Sequence, residues 1–135
     1  MQNKKNIAVF ASGSGTNFIN IYNNIKNGKV VVLISNNVNS GAVKFAKEKS
    51  VNFSIINSTV YSDVNDLNKQ YEFILKSHKV ELILLAGFIK KVPLNMVASA
   101  AVQLGLKISI FKYGAFTCGL NLSFYKFLAS RCHQN

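Results

Sequence analysis

A chain of 135 residues, 49% hydrophobic and 16% charged, is long enough for one domain with its own core and too apolar to be disordered. Sixteen Lys and Arg against five Asp and Glu give a net charge of +11, which points to anionic partners such as a phosphorylated metabolite, a polyglutamylated cofactor or nucleic acid. Cys118 and Cys132 have neither metal-ligand nor Cys-x-x-Cys spacing, so the sequence offers no metal centre and reads as two thiols in a reducing cytosol.

In chain order, residues 7–11 (Ile-Ala-Val-Phe-Ala) read as a buried strand and run into the turn Ser12-Gly13-Ser14-Gly15-Thr16-Asn17. Phe18, Ile21, Tyr22 and Ile25 then recur at helical spacing until Asn27-Gly28 ends the helix. Residues 30–35 form a continuous apolar run, the pattern of a strand covered on both faces of a parallel sheet. A polar turn leads to a short helix over 42–49 and a third strand over 51–56. The next helix, 63–77, carries its apolar stripe on Val64, Leu67, Tyr71, Ile74 and Leu75, and His78 behind it reads as a solvated side chain. A fourth strand over 82–86 ends in the loop Gly87-Phe-Ile-Lys-Lys-Val-Pro93, after which Pro93 opens a helix over 94–101 and residues 107–111 give a fifth strand.

Strict alternation of buried strands and helices predicts an α/β fold, a Rossmann-like doubly wound parallel sheet with right-handed crossovers. If the first and fourth strands are neighbours across the switch point, the glycine turn and the loop after residue 86 face one crevice, where such sheets bind ligands.

All five acids, Glu48, Asp63, Asp66, Glu72 and Glu81, lie in the first 81 residues, and the pattern of elements fades beyond Phe111. The expected organisation is therefore an α/β domain over 1–111 and a divergent tail over 112–135. The uncharged stretches 92–106 and 113–125 fall short of the roughly 18 apolar residues of a membrane span. Lys4 and Lys5, followed by a short strand and glycines, do not make a secretory signal. The expected location is the cytoplasm, with no membrane partner.

The glycine turn fails two familiar patterns. A dinucleotide fingerprint needs a third glycine where Phe18 stands, and an acid at the end of the second strand where Ser35-Asn36-Asn37 stand. A triphosphate P-loop needs Gly-Lys-Ser/Thr, whereas this turn closes Gly15-Thr16-Asn17. What remains is a small anion site of backbone N–H groups, a Thr hydroxyl and an Asn amide, suited to one phosphate monoester.

Three ordered motifs, residues 8–17 (Ala-Val-Phe-Ala-Ser-Gly-Ser-Gly-Thr-Asn), 34–36 (Ile-Ser-Asn) and 84–93 (Leu-Leu-Ala-Gly-Phe-Ile-Lys-Lys-Val-Pro), resemble phosphoribosylglycinamide formyltransferases over roughly residues 5 to 97. The resemblance implies formyl transfer from 10-formyltetrahydrofolate to glycinamide ribonucleotide in purine biosynthesis, with no metal. It implies substrate phosphate on Gly15, Thr16 and Asn17, and folate on Ile89, Lys90, Lys91 and Val92.

The same family carries Asn-x-His-Pro at the end of the fifth strand and an Asp in a later loop, to hold the oxyanion and manage the proton. Here Ser109 and Phe111 stand where the Asn and His belong, and no Asp follows Asp66. The resemblance therefore implies an enzyme by descent with an impaired catalytic half and a fold that is truncated or divergent after the fifth strand. The alternatives are a formyltetrahydrofolate deformylase-like hydrolase and a non-catalytic basic domain binding phosphate or nucleic acid. The second lacks any aromatic-basic recognition motif.

Overall fold

The computed structural model describes residues 4–57, 63–86, 104–112 and 115–120. Its elements follow in the order β1 (Lys5–Phe10), α1 (Thr16–Asn24), β2 (Gly28–Ser35), α2 (Gly41–Glu48), β3 (Phe53–Ile55), α3 (Val64–Ser77), β4 (Leu82–Leu85), β5 (Lys107–Lys112) and β6 (Ala115–Leu120). Within the described residues the sheet runs β3-β2-β1-β4-β5-β6. Its first five strands are parallel, and β6 returns antiparallel to β5.

Burial explains why alternation alone specified this architecture. The two faces of the sheet are covered by different helices, so successive residues of the central strands enter different cores. Val9, Leu33 and Leu84 pack under α1 and α2 with Phe18, Ile21 and Val43. Phe10, Ile34, Ile83 and Ile108 pack against α3 through Leu67, Tyr71, Ile74 and Leu75. Each fully buried side chain of this size contributes about 1.5–3 kcal/mol. Four of the five stripe residues read from the helical spacing are thereby core, and the side chain of Val64 lies outside the described residues.

Differences from the sequence reading sit at element ends and beyond Phe111. Strand β3 is three residues long because Val51 N–H is drawn back to the carbonyl of Ala46, closing the end of α2. No element is predicted from the sequence beyond Phe111, yet Ala115–Leu120 forms β6, antiparallel to β5 with Ile108 opposite Leu120 and Lys112 opposite Ala115; its short alternation of Phe116, Cys118 and Leu120 is lost among the aromatic residues around it. His78 is half-buried, not freely solvated, and its Nδ1 lies 3.0 Å from the carbonyl of Ile74 at the end of α3. The helix expected over 94–101 and the end of the chain from 121, with Cys132 and His133, lie outside the described residues. Among those described, no helix is long and apolar enough to cross a membrane.

Candidate functional site

The turn from β1 to α1 uses two glycines differently. Gly13 is exposed, with open space where a Cβ would point. Gly15 is buried with φ +87°, and a Cβ there would lie 2.7 Å from the backbone nitrogen of Ala42. Both the left-handed backbone and the contact with α2 demand glycine at this position.

Gly15 is also the N-cap of α1, and it supplies no side-chain cap. Its carbonyl accepts the first helical bond from Ile19 N–H at 2.8 Å, while the N–H groups of Thr16, Asn17 and Phe18 find no acceptor among the described residues. A Ser or Asp cap would have consumed one of these donors; glycine leaves them for an external anion. Thr16 is exposed and Asn17 half-buried, and the Thr16 hydroxyl lies 3.0 Å from that of Ser14. The first turn of α1 contains no acid to compete for the same donors.

A second helix start abuts the turn. Gly41 N–H donates to the carbonyl of Gly13 at 3.1 Å, fixing α2 against the loop. The approach begins at the end of β2, where buried Ser35 accepts a hydrogen bond from Asn37 N–H at 3.2 Å and folds the chain back. Ser40 then caps α2 by accepting from Val43 N–H at 3.2 Å. Sequence reading placed neither Ser40 nor Gly41 at the site. The signal available was a Ser-Gly pair at a helix start, which does not announce that the glycine faces another loop.

The turn opens at the switch point of the sheet. Strands β1 and β4 are direct parallel neighbours, and the ladder continues past their ends with Ala86 N–H donating to the carbonyl of Phe10 at 2.8 Å. On the other side Ala11 N–H donates to the carbonyl of Ile34 at 3.1 Å. Strands β1 and β4 thus end side by side, as the sequence predicted, so the glycine turn leaves the sheet at the crevice where such sheets take ligands, while the loop after Ala86 expected to face it lies outside the described residues.

The structure brings Gly15, Thr16 and Asn17 together at the start of α1. Ile89, Lys90, Lys91 and Val92 lie outside the described residues. Ser109 and Phe111 stand two residues apart on β5, in register with Leu84 of β4 and Phe116 of β6 respectively.

A family model described as formyl transferase matches residues 5–106. This chain belongs to the formyl transferase family. Among curated relatives, a chloroplastic phosphoribosylglycinamide formyltransferase of Arabidopsis thaliana is 28% identical over 99 residues, covering 70% of this chain and 34% of its own length. This member of the family therefore spans about a third of that relative. Among solved structures, the phosphoribosylglycinamide formyltransferase of Coxiella burnetii superposes with a TM-score of 0.68 at 22% identity, over 80% of this chain and 51% of the other. The glycinamide ribonucleotide transformylase 1 of Geobacillus kaustophilus gives 0.62 at 17% identity, over 98% and 94%. At these identities the superpositions establish the shared α/β fold.

Proposed function

We propose that this chain is a phosphoribosylglycinamide formyltransferase by descent that retains the phosphate-binding half of the site and lacks an effective catalytic half. The observation that carries the reading is the uncapped start of α1 at the switch point, where the Thr16, Asn17 and Phe18 N–H groups have no acceptor among the described residues. A phosphate monoester placed there receives backbone hydrogen bonds, the positive end of the helix dipole and the Thr16 hydroxyl, with the Asn17 amide as a further donor.

The partners are glycinamide ribonucleotide as acceptor and 10-formyltetrahydrofolate as formyl donor, with Ile89, Lys90, Lys91 and Val92 as the folate wall. Attack of an amine on the formyl carbon needs an oxyanion donor and a group to take the proton. Ser109 and Phe111 lie on β5; by the resemblance, the family has Asn and His at these positions, and a phenyl ring does neither task. Loss of a single preorganised oxyanion donor costs about 10²–10³ in rate, so loss of the set leaves little catalysis.

The test is calorimetric titration with glycinamide ribonucleotide, alongside an assay for formylated product in the presence of 10-formyltetrahydrofolate. Binding of the ribonucleotide with no product is the expected result. Rapid turnover would overturn the impairment, and absence of ribonucleotide binding would overturn the retained phosphate site. Hydrolysis of the folate with no ribonucleotide requirement would instead identify a deformylase.

A further inference from the structure

At the opposite end of the sheet from the glycine turn, β2 is longer than its outer neighbour. It pairs with β1 from Gly28 onward, but with β3 only from Leu33. Residues 28–32 therefore have no strand on their outer side among the described residues, and no loop hydrogen bond reaches them. The chain entering β3 does not cover the gap: Val51 N–H is turned back to Ala46, and Asn52 first meets β2 through its carbonyl at Leu33 N–H, 2.8 Å away.

A groove of about 610 Å³ occupies this notch, bounded by residues 28–31 on one side and 49–52 on the other. Its walls are mixed. Tyr22, Ile25 and Val51 supply apolar surface, while Lys4, Lys29 and Lys49 are exposed at its rim, and no carboxylate among the described residues lines it. Lys49 Nζ rests 5.9 Å from the centre of the Phe45 ring, which holds that ammonium over the molecule. An adjoining cavity lined by Lys47, Phe53 and His78 continues the basic surface around Ser50 and Asn52.

We propose that this notch is a docking site for an extended acidic peptide segment of a partner protein, which adds a short strand to the free edge of β2. Gly28 and Val32 are buried, so the accessible part of the edge is Lys29 to Val31; it spans about 10 Å, enough for the main-chain hydrogen bonds of a very short strand, with its outward side chains reaching the lysines. The choice of partner follows from the lining. A second copy of this chain carries +11 itself and meets like charge at the rim. RNA would use the lysines but neither the backbone donors of the edge nor the apolar wall, whereas a strand with alternating acidic and apolar side chains uses all three. Nothing in this site overlaps the residues assigned to phosphate, so the proposal stands independently of the formyltransferase reading.

The probe is a fluorescein-labelled peptide of alternating Glu and Val, titrated into the full chain and followed by fluorescence anisotropy. Saturable binding is expected, weakened about tenfold by Lys29→Glu with Lys49→Glu and weakened further by salt. A version of the peptide N-methylated on alternate residues keeps its charge but cannot form the ladder; at least tenfold weaker binding is expected on the unaltered protein, so the result does not depend on a variant folding. Excess ribose 5-phosphate should not displace the peptide. Equal binding of the methylated peptide would reduce the site to charge attraction and overturn the proposal. Tighter binding of a 12-nucleotide RNA that displaces the peptide would assign the groove to RNA instead. Self-association abolished by Lys29→Glu would assign it to a second copy. No binding at all would mean that the lysines only keep the edge from pairing.

Discussion

Gly41 and Gly13 join two helix starts through a single backbone hydrogen bond of 3.1 Å. The junction is tight: a Cβ at position 41 would run into the carbonyl group of Ser14. Because that neighbour is backbone, it can yield only by moving the turn. Gly41→Ala is therefore expected to cost about 1–3 kcal/mol, the usual range for overpacking, and to misplace the donors at the start of α1. Thermal denaturation should show a fall of several degrees, and titration with glycinamide ribonucleotide should show weaker binding in the protein that remains folded.

Thr16 and Asn17 allow binding to be separated from stability. Thr16 is exposed, and among the described residues its hydroxyl bonds only to that of Ser14, so its loss removes no core contact. A hydrogen bond to a charged phosphate is worth about 1.5–3 kcal/mol, hence Thr16→Val should weaken ribonucleotide binding by about 10- to 100-fold. Asn17→Ala should weaken it in the same direction. Midpoints of urea unfolding for both variants should stay close to that of the unaltered chain, which an effect through misfolding would not permit.

What the sequence made legible follows from what periodicity encodes. The apolar runs of β1 and β2 and the stripe Leu67, Tyr71, Ile74, Leu75 report burial directly, so the elements and the doubly wound arrangement could be read. Gly15 was legible as the glycine of a tight turn that runs from a strand into a helix. The contact of Gly15 with Ala42 was not, since it joins residues distant in the chain and leaves no local pattern. The break in pairing between β1 and β2 at Ile7 and Ala8, the notch below β3 and the pairing of β6 with β5 were hidden for the same reason. Each is a property of which backbones lie together, and side-chain alternation does not specify it.

Phe18 shows how this turn dispenses with the third glycine of a dinucleotide fingerprint. Its ring is fully buried and meets the ring of Phe45 edge-on, with centres 5.6 Å apart. Tyr22 meets the same Phe45 ring at 5.3 Å. The start of α1 is thus held by aromatic packing against α2, whereas the fingerprint relies on close helix-to-strand approach. Phe18→Ala should cost about 3–5 kcal/mol, a large part of the 5–15 kcal/mol available to a domain of this kind. Urea denaturation measures it, and Phe18→Leu should recover most of the loss.

Tyr71 sets a limit to stability at alkaline pH. Its ring stacks on that of Phe10 with centres 5.9 Å apart, it is 1% exposed, and its hydroxyl finds no hydrogen-bond partner among the described residues. Burial pushes its pKa up from 10.0 to about 12. The unfolded chain releases this proton near pH 10 while the folded chain keeps it, so the stabilising contribution is complete below pH 10 and is lost as pH rises through about 12. A difference of this size is worth about 2–3 kcal/mol when fully developed. Tyr71→Phe preserves the stack and removes the titrating group. Lysines titrate in the same window in both proteins, so the informative quantity is the difference between the two unfolding curves from pH 8 to pH 12. That difference should be flat below pH 9.5 and then shift steadily in favour of Phe. A constant difference across the range would show that the Tyr71 hydroxyl reaches solvent in the folded chain.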